Sequence, residues 1–498
     1  MSDYYPKVLF HDLILENVPK FGKREALVHE DQVVRFDEIQ VLVSKLVSKL
    51  LELGVSQEDT VFVCLPNSIW YPLIFLAAAR IGAVVSGISS QSTSTEVKTL
   101  LEKCGAKLIL TNQKFHDDNA WVFGEVASEI LPDNVKSYTD TIAELSETIR
   151  FPEQNIDSVL LAPFSSGTTG TPKCCLLTHR NFLASTFSLK KFLFDELLSK
   201  SSMKTLAFLP FHHASGFWAL LLCLLEGCTS YIMSEFHPIT MMELVKKYEI
   251  DTINIVPSIA NVFLKMGYLQ GRCPSLRTIL CGSSGLNKTR CKQLLALLPQ
   301  VEHFIQGYGM TELVVLSCVT PINDNFEHLG SCGQLLPGFE AKLLVHETGE
   351  KELLLRSDAI MKAYKNGLPN LDKDEWLHTG DVVEEKCGFY YVVDRMKDLI
   401  KVNGFQVSPT EIEDLILTFP KVVEVAVVGK EDELCGQLPQ AYIVLEDGTD
   451  ELLFRKHLEH TLREKLSAVK QLRGGVTIVQ QLPKSASGKI QKNKLMEY

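Results

Sequence analysis

The stretch Ser165-Ser166-Gly167-Thr168-Thr169-Gly170-Thr171-Pro172-Lys173 closely follows an apolar run over residues 159–162, so it opens at the end of a strand. Its glycines let a backbone come close to a ligand, its hydroxyls donate hydrogen bonds, and its lysine adds positive charge. Those are the requirements of a polyphosphate cradle. The spacing Gly-x-x-x-x-Gly-Lys-[Ser/Thr] is missing, which argues against a P-loop kinase or ATPase. Stretches rich in Ser, Thr and Gly more often serve as polar surface turns. The density of hydroxyls beside a lysine sets this one apart.

Outward from the cradle the chain alternates helices with short apolar strands. Residues 36–53 carry apolar side chains at helical spacing and stop at Gly54, and residues 61–65 form a β-branched strand before the turn Pro66-Asn67. Residues 73–81 read as a buried helix, 107–110 as a strand, 240–248 as a helix and 252–256 as the strand after it. That rhythm implies an α/β protein with largely parallel sheets. Near residue 330 the character changes: 341–345, 352–355 and 389–393 look like strands of a smaller, partly antiparallel unit. Beyond Asp394, a helix over 410–418, strands over 422–428 and 440–445 and a helix over 452–466 suggest a separate α+β domain of about 100 residues. The run Asp394-Arg395-Met396-Lys397-Asp398 is the expected joint.

The chain has 498 residues, 46% hydrophobic and 22% charged. This is globular composition with material for about three compact units. A net charge of −11 disfavours a broadly basic nucleic-acid binder. Thirteen cysteines, an odd number with no Cys-x-x-Cys pair, argue against a disulfide framework or a structural zinc site and for a reducing compartment. The N-terminus begins no signal-peptide apolar run, no stretch reaches the roughly 20 apolar residues needed to span a bilayer, and the C-terminus is not Ser-Lys-Leu. A cytoplasmic location is the expectation. Peripheral membrane association, a peroxisomal location and the oligomeric state stay open.

Other segments carry chemistry. In Gln306-Gly307-Tyr308-Gly309-Met310-Thr311-Glu312 a tyrosine between glycines can stack on a base, a hydroxyl can meet a phosphate, and a carboxylate can hold magnesium. A helix start with an acidic first turn would read the same way. Asp381 in Trp376-Leu377-His378-Thr379-Gly380-Asp381 stands at an expected turn, placed to accept two ribose hydroxyls or simply to cap the turn. Arg395 could be an ordinary surface ion pair, and Lys489 a solvated lysine. His212-His213 could be metal ligands, but no Cys, Asp or Glu stands at suitable spacing.

The cradle resembles the phosphate-binding signature of the adenylate-forming superfamily: acyl-CoA synthetases, 4-coumarate-CoA ligases, beetle luciferases and peptide-synthetase adenylation domains. Four further segments resemble that superfamily's motifs in the same order. Residues 306–312 are similar to the adenine and magnesium motif, and 376–381 to the ribose motif. Residues 394–405, Asp394-Arg395-Met396-Lys397-Asp398-Leu399-Ile400-Lys401-Val402-Asn403-Gly404-Phe405, are similar to the hinge motif. Pro483-Lys484-Ser485-Ala486-Ser487-Gly488-Lys489-Ile490 is similar to the catalytic-lysine motif. The resemblance spans essentially the whole chain, and Pro210-Phe211-His212-His213 draws it toward the coumarate-ligase and luciferase branch.

The resemblance implies a large N-terminal domain, residues 1–396, with mostly parallel sheets flanked by helices and a β subdomain near 330–393. A small mobile α+β domain, 397–498, would carry the catalytic lysine. It implies ATP contacts from Ser165, Ser166, Gly167, Thr168, Thr169, Gly170, Lys173, Gly282, Ser283 and Gly307. Tyr308 would lie near adenine, Thr311 near a phosphate, Glu312 on magnesium, and Asp381 and Arg395 on the ribose. Lys489 would bridge the substrate carboxylate and the α-phosphate. His213 and Ser284 would border the acyl group, while Lys397 would form the hinge and Lys401 and Gly404 the coenzyme A face. The implied activity is ATP-dependent conversion of a carboxylic acid to its coenzyme A thioester through an acyl-adenylate. Fatty acids of medium to long chain and aryl-propenoic acids are the candidate substrates. The alternatives are another acceptor, as in a luciferase or an aminoacyl loader, and a silent member that binds without turnover. With no carrier domain after residue 498, a self-loading synthetase module is disfavoured.

Three departures bear on these expectations. Cys174 stands where glycine is usual after the cradle lysine, followed by Cys175, and its side chain is expected to press on the loop. Gly285 replaces a frequent proline, and residues 86–91 lack the usual prolines. The vicinal cysteines are expected to be inert thiols, since neighbours rarely meet disulfide geometry.

Overall fold

The computed structural model describes residues 4–112, 120–122, 151–165, 172–201, 203–266, 269, 271–367, 371–403, 405–484 and 490–495. Two large sheets form most of the molecule. One has nine strands in the order Gln334–Leu335, Cys318–Val319, His303–Tyr308, Thr278–Cys281, Thr252–Ile255, Thr205–Ala207, Ser230–Ile232, Glu25–His29 and Gln32–Arg35. Its ladders are parallel from His303–Tyr308 through to Glu25–His29 and antiparallel at both ends. The other has eight, centred on the parallel trio Val84–Gly87, Thr60–Cys64 and Ala106–Thr111. All five residues of Thr60–Cys64 are buried, as expected of a parallel strand covered by helices on both faces. The largest apolar cluster joins this sheet to the helices Phe10–Asn17, Ile39–Glu52, Trp70–Ile81, His179–Leu189 and Ala214–Glu226.

The helix expected at residue 73 begins at Trp70, with only Arg80 escaping burial. Pro72 lies in its first turn, where the missing N–H would have no intrahelical partner anyway. The helix ends on Gly82 at φ 79°.

Strand order reverses within the parallel part of each large sheet, and the carboxyl end of a strand at such a reversal is where open α/β sheets bind ligands. In the nine-stranded sheet this is Thr205–Ala207, between Ser230–Ile232 and Thr252–Ile255. In the other it is Thr60–Cys64. Buried Asn67, just past Thr60–Cys64, ties the two ends together. Its Nδ2 donates to the Leu209 carbonyl at 3.0 Å and its Oδ1 accepts the Phe211 N–H at 2.9 Å. Asn67→Ala strands both backbone groups, so it is expected to cost about 1–3 kcal/mol, read as a lower urea midpoint. An unchanged midpoint would show that this tie contributes nothing.

A four-stranded antiparallel sheet follows: Glu340–Val345, Lys351–Arg356, Leu377–Lys386 and Phe389–Arg395. This is the β subdomain expected near 330–393. The C-terminal domain is built on Phe405–Val407, Ile400–Val402, Gly436–Leu445 and Val422–Asp432, with Gly475–Ile478 parallel to Gly436–Leu445. Alternation along Val422–Asp432 sends Val425 and Val427 toward the helices Pro409–Ile416 and Glu451–Lys465. Ala426 and Val428 turn to the other face, against Leu482 and Leu495. Polar ties join this domain to what precedes it. Asn287 Nδ2 donates to Asp414 Oδ1 at 2.6 Å, Gln406 Nε2 to Thr348 Oγ1 at 3.0 Å, and Ser408 Oγ to Asp394 Oδ2 at 2.6 Å.

Candidate active site

Three motifs far apart in sequence meet at one carboxylate. Asp381, 3% exposed, accepts the Tyr308 hydroxyl on Oδ2 at 2.6 Å and faces Arg395 Nε from Oδ1 at 3.1 Å. Burial and the neighbouring carboxylate push the Tyr308 phenol well above its usual range, so it stays protonated and donates. Asp381 and Arg395 are direct partners in the ladder between Leu377–Lys386 and Phe389–Arg395. Asp381 does not stand at a turn, as the sequence suggested, but inside a ten-residue strand. A bulge frees it from the ladder on the strand's other side, with Lys351–Arg356, while it stays paired with Arg395.

A second carboxylate, Glu312, is 7% exposed in the short 3₁₀ turn Thr311–Leu313 that follows the strand His303–Tyr308. Its Oε1 accepts the Tyr364 hydroxyl at 2.8 Å, and its carbonyl accepts the Met361 N–H at 2.8 Å. The Lys173 ammonium lies 5.0 Å from the centre of the Tyr364 ring, a cation–π distance. Ser165 pairs with Lys173 across a tight antiparallel ladder, and its buried Oγ has no partner among the described residues. Just past the turn, buried Val314 takes φ 68° and ψ −62°. For a β-branched residue this costs on the order of 1–3 kcal/mol, strain of the kind that gathers at functional sites.

The parallel ladder between Thr278–Cys281 and His303–Tyr308 brings Gly282 against Gly307, whose carbonyl oxygen lies 3.6 Å from where a Cβ on Gly282 would be. Ser283 follows at φ 78°, and Ser283, Ser284 and Gly285 are exposed. A Cβ at Gly285 would meet nothing within 4 Å, so that turn is open. His213 precedes the helix Ala214–Glu226, its ring 4.4 Å from that of His212. Burial pushes His213 down to about 4 and His212 well below its usual range, so both rings are neutral near pH 7.

The cysteines beside the cradle pack into the described core, while the loop itself, residues 166–171, lies outside the described residues. Lys173–Thr178 is a strand, so Cys174 and Cys175 point to opposite faces, both buried. Cys174 packs with Phe62, Cys104 and Ala162, and burial raises its thiol to about 12. Burial also raises Cys175, whose neighbours include Glu312. Both are held as thiols, the inert form.

Lys397 is exposed in the turn after Phe389–Arg395, and Lys401 is exposed on Ile400–Val402. Ser166, Gly167, Thr168, Thr169, Gly170, Gly404 and Lys489 lie outside the described residues. Sequence reading missed Tyr364 and Glu352. Tyr364 sits in an unremarkable Ala-Tyr pair, brought to Glu312 by antiparallel pairing of Ala363–Tyr364 with Lys173–Thr178. Glu352 lies on an apolar strand, and the only signal was a carboxylate at a position reading as core.

Fold and side chains together define a class: an α/β chain with an antiparallel subdomain, a C-terminal α+β domain and two buried carboxylates, Glu312 beyond the end of a parallel strand and Asp381 within the antiparallel subdomain. Comparison with known proteins is specific. Residues 14–365 match the AMP-binding enzyme family and residues 411–489 match the AMP-binding enzyme C-terminal domain. The chain belongs to the AMP-binding enzyme family, within the adenylate-forming superfamily. It is 31% identical to a 4-coumarate–CoA ligase of Vanilla planifolia, over 98% of this chain and 93% of that one. Against 4-coumarate–CoA ligase 1 of Petroselinum crispum the identity is 32%, with the same coverage. Among solved structures, the o-succinylbenzoate CoA synthetase MenE of Bacillus subtilis, in complex with its acyl-adenylate intermediate, superimposes with a TM-score of 0.80. It is 25% identical, and 97% of each chain is covered. ATP-bound MatB of Rhodopseudomonas palustris gives 0.82 at 23% identity over 97% of this chain and 98% of that one, a likeness of fold. Among the described residues, no helix is long and apolar enough to cross a membrane.

Proposed function

We propose that this chain couples ATP cleavage to the joining of a carboxylic acid and coenzyme A, releasing AMP and pyrophosphate. The observation that carries the reading is the convergence of Tyr308, Asp381 and Arg395 on one buried carboxylate pair of oxygens. That group is suited to accepting the two hydroxyls of a ribose, with the Tyr308 ring beside the base. Residues 165–170, Lys173 and Thr311 take the phosphates, and Gly282, Ser283 and Gly307 line the nucleotide.

In the first half-reaction the acid's carboxylate oxygen attacks the α-phosphorus, the bond to pyrophosphate breaks, and an acyl-adenylate forms. Lys489 offsets the charge that builds between the two anions. Glu312 fits a magnesium site: one of its oxygens holds Tyr364, and a single carboxylate plus the phosphates of ATP is a donor set magnesium uses. When bound, the ion supplies charge neutralisation on the phosphates. In the second half-reaction the sulfur of coenzyme A attacks the acyl carbonyl, and AMP leaves. One site serves both steps if residues 397–498 rotate against 1–396 about Lys397. One orientation presents Lys489, the other Lys401 and Gly404. Phe405, next to Gly404, is 63% exposed, so its side chain is accessible to a ligand.

The segments that carry His213 and Ser284, residues 208–216 and 281–287, contain no lysine or arginine. With His213 neutral, an acid with an uncharged body suits the reading. This favours fatty acids of medium to long chain and aryl-propenoic acids, the latter in keeping with the names of its relatives.

The test is pyrophosphate release from ATP and magnesium over a panel of carboxylic acids, with and without coenzyme A. The expected result is acid-dependent release that becomes multi-turnover only with coenzyme A. Release indifferent to coenzyme A would assign another acceptor. No release with any acid, from a chain that binds ATP, would favour an acid outside the panel or a silent binder.

A further inference from the structure

The ladder between Lys351–Arg356 and Leu377–Lys386 breaks at one place. Leu354 pairs with His378 and Glu352 with Val382, so one residue of the first strand spans three of the second. Thr379, Gly380 and Asp381 are those three, and Gly380 takes φ 72°. A bulge frees backbone groups from a ladder and re-aims the side chain beside it. Here the freed groups find side-chain partners. The Gly380 N–H donates to Glu352 Oε1 at 3.0 Å, the Asp381 N–H to Thr379 Oγ1 at 3.1 Å, and Thr379 Oγ1 in turn to the Leu353 carbonyl at 2.7 Å.

Glu352 is 5% exposed and fully engaged. Its second oxygen, Oε2, accepts from His346 Nε2 at 2.9 Å and from His378 Nδ1 at 3.1 Å. Neutral rings supply both donors when His346 carries its proton on Nε2 and His378 on Nδ1. Burial pushes the carboxyl up, but the hydrogen bonds from His378, His346 and the Gly380 N–H together outweigh it and hold it below its usual range. A buried charge with three donors is rigidly placed, and stranding those donors is costly.

We propose that Glu352 is a positioning residue for the nucleotide: by holding the Gly380 N–H and the His378 ring, it fixes the bulge that aims Asp381 at the ribose. This rests on the reading of Asp381 as the ribose carboxylate. Charge-assisted hydrogen bonds weaken steeply when their geometry relaxes. A loosened bulge therefore costs the ribose contacts first and leaves base and phosphate contacts in place.

The experiment is calorimetric binding of ATP, 2′-deoxy-ATP and 3′-deoxy-ATP to the full chain. The variants are Glu352→Ala, Glu352→Gln, His378→Ala and Asp381→Asn. The parent chain is expected to bind ATP about tenfold more tightly than either deoxy analogue. In Glu352→Ala, ATP weakens about tenfold, the analogues weaken little, and the preference falls to within about twofold. Glu352→Gln keeps an acceptor for the Gly380 N–H and retains an intermediate preference. A merely structural defect would weaken all three nucleotides together and leave their ratio unchanged. Should Glu352→Ala fail to fold, Glu352→Gln and His378→Ala carry the test through the same ratio. A ratio that stays at the parent value in these variants, while Asp381→Asn abolishes it, overturns the role of Glu352. A parent chain that does not discriminate, or an Asp381→Asn variant that still does, overturns the ribose reading of Asp381, and the inference falls with it.

Discussion

Lys489→Ala is expected to lower acid-dependent pyrophosphate release by about 100- to 1,000-fold, the scale of losing one preorganised donor at a charge-building centre. It is expected to leave the conversion of a supplied acyl-adenylate to its thioester within about twofold. The division follows from the chemistry. Only the first half-reaction brings two anions, a carboxylate and a phosphate, into contact, so only that step needs an ammonium between them. The second brings a thiolate to a carbonyl already activated by its AMP leaving group. The residues on either side of Lys489 are anchored: Lys484 forms a bridge with Ile490 and an ion pair with Glu424, and Lys492 Nζ lies 2.7 Å from Glu413 Oε1. Removing the ammonium therefore leaves the domain's packing in place, and an activity loss reports chemistry. The check is single-turnover pyrophosphate release beside thioester formation from the purified adenylate. Equal loss in both steps would end the assignment of Lys489 to adenylation alone.

Much of this organisation is legible in the sequence because it rests on local rules. Short Val- and Ile-rich runs between helices specify buried parallel strands, and residues 252–256 appear as Thr252–Ile255. The amphipathic spacing at 410–418 appears as the helix Pro409–Ile416. The candidate residues that stand in their own motifs, such as Tyr308, Glu312 and Asp381, are also visible, because hydroxyls, carboxylates and glycines cluster there. What the sequence hides depends on pairing between distant segments. Nothing near Tyr364 announces that Ala363–Tyr364 joins the strand after the cradle and delivers a hydroxyl to Glu312. Asp381 looks like a turn residue because Thr379-Gly380 precedes it. Only the register across from Glu352 and Leu354 turns that signal into a bulge. The Cys174-Cys175 pair looks intrusive until strand alternation sends the two thiols into separate packed layers. The identity of the acid is hidden for the same reason. The segments proposed to border it, around His213 and Ser284, are distant in sequence, and no single stretch encodes their relative placement.

Gly309→Ala is expected to abolish pyrophosphate release to the limit of detection, at least about 100-fold, and to destabilise the chain by about 3 kcal/mol or more. A Cβ at this position would lie 1.7 Å from the Val315 carbonyl oxygen and 2.6 Å from its carbon. That collision is with backbone, so no rotamer relieves it and the chain itself must move. The room to move is small. The Ser317 N–H donates to the Tyr308 carbonyl at 2.8 Å, the Val314 N–H to the Thr311 carbonyl at 3.2 Å, and Val314 already sits at a positive φ. Gly309 lies between Tyr308, which hydrogen-bonds Asp381, and Glu312, the carboxylate proposed for magnesium. A displacement of about 1 Å there misaligns both ends of the nucleotide at once, and such a shift costs on the order of 100-fold in rate. Urea midpoints separate this from a general intolerance of added methyl groups. Gly367→Ala, where a Cβ meets nothing within 4 Å and the backbone is unstrained, is expected to stay within about 0.5 kcal/mol of the parent. A Gly309→Ala chain with parental activity and midpoint would mean that the turn over residues 308–316 does not fold back on itself. The joint placement of Tyr308 and Glu312 would then lose its basis.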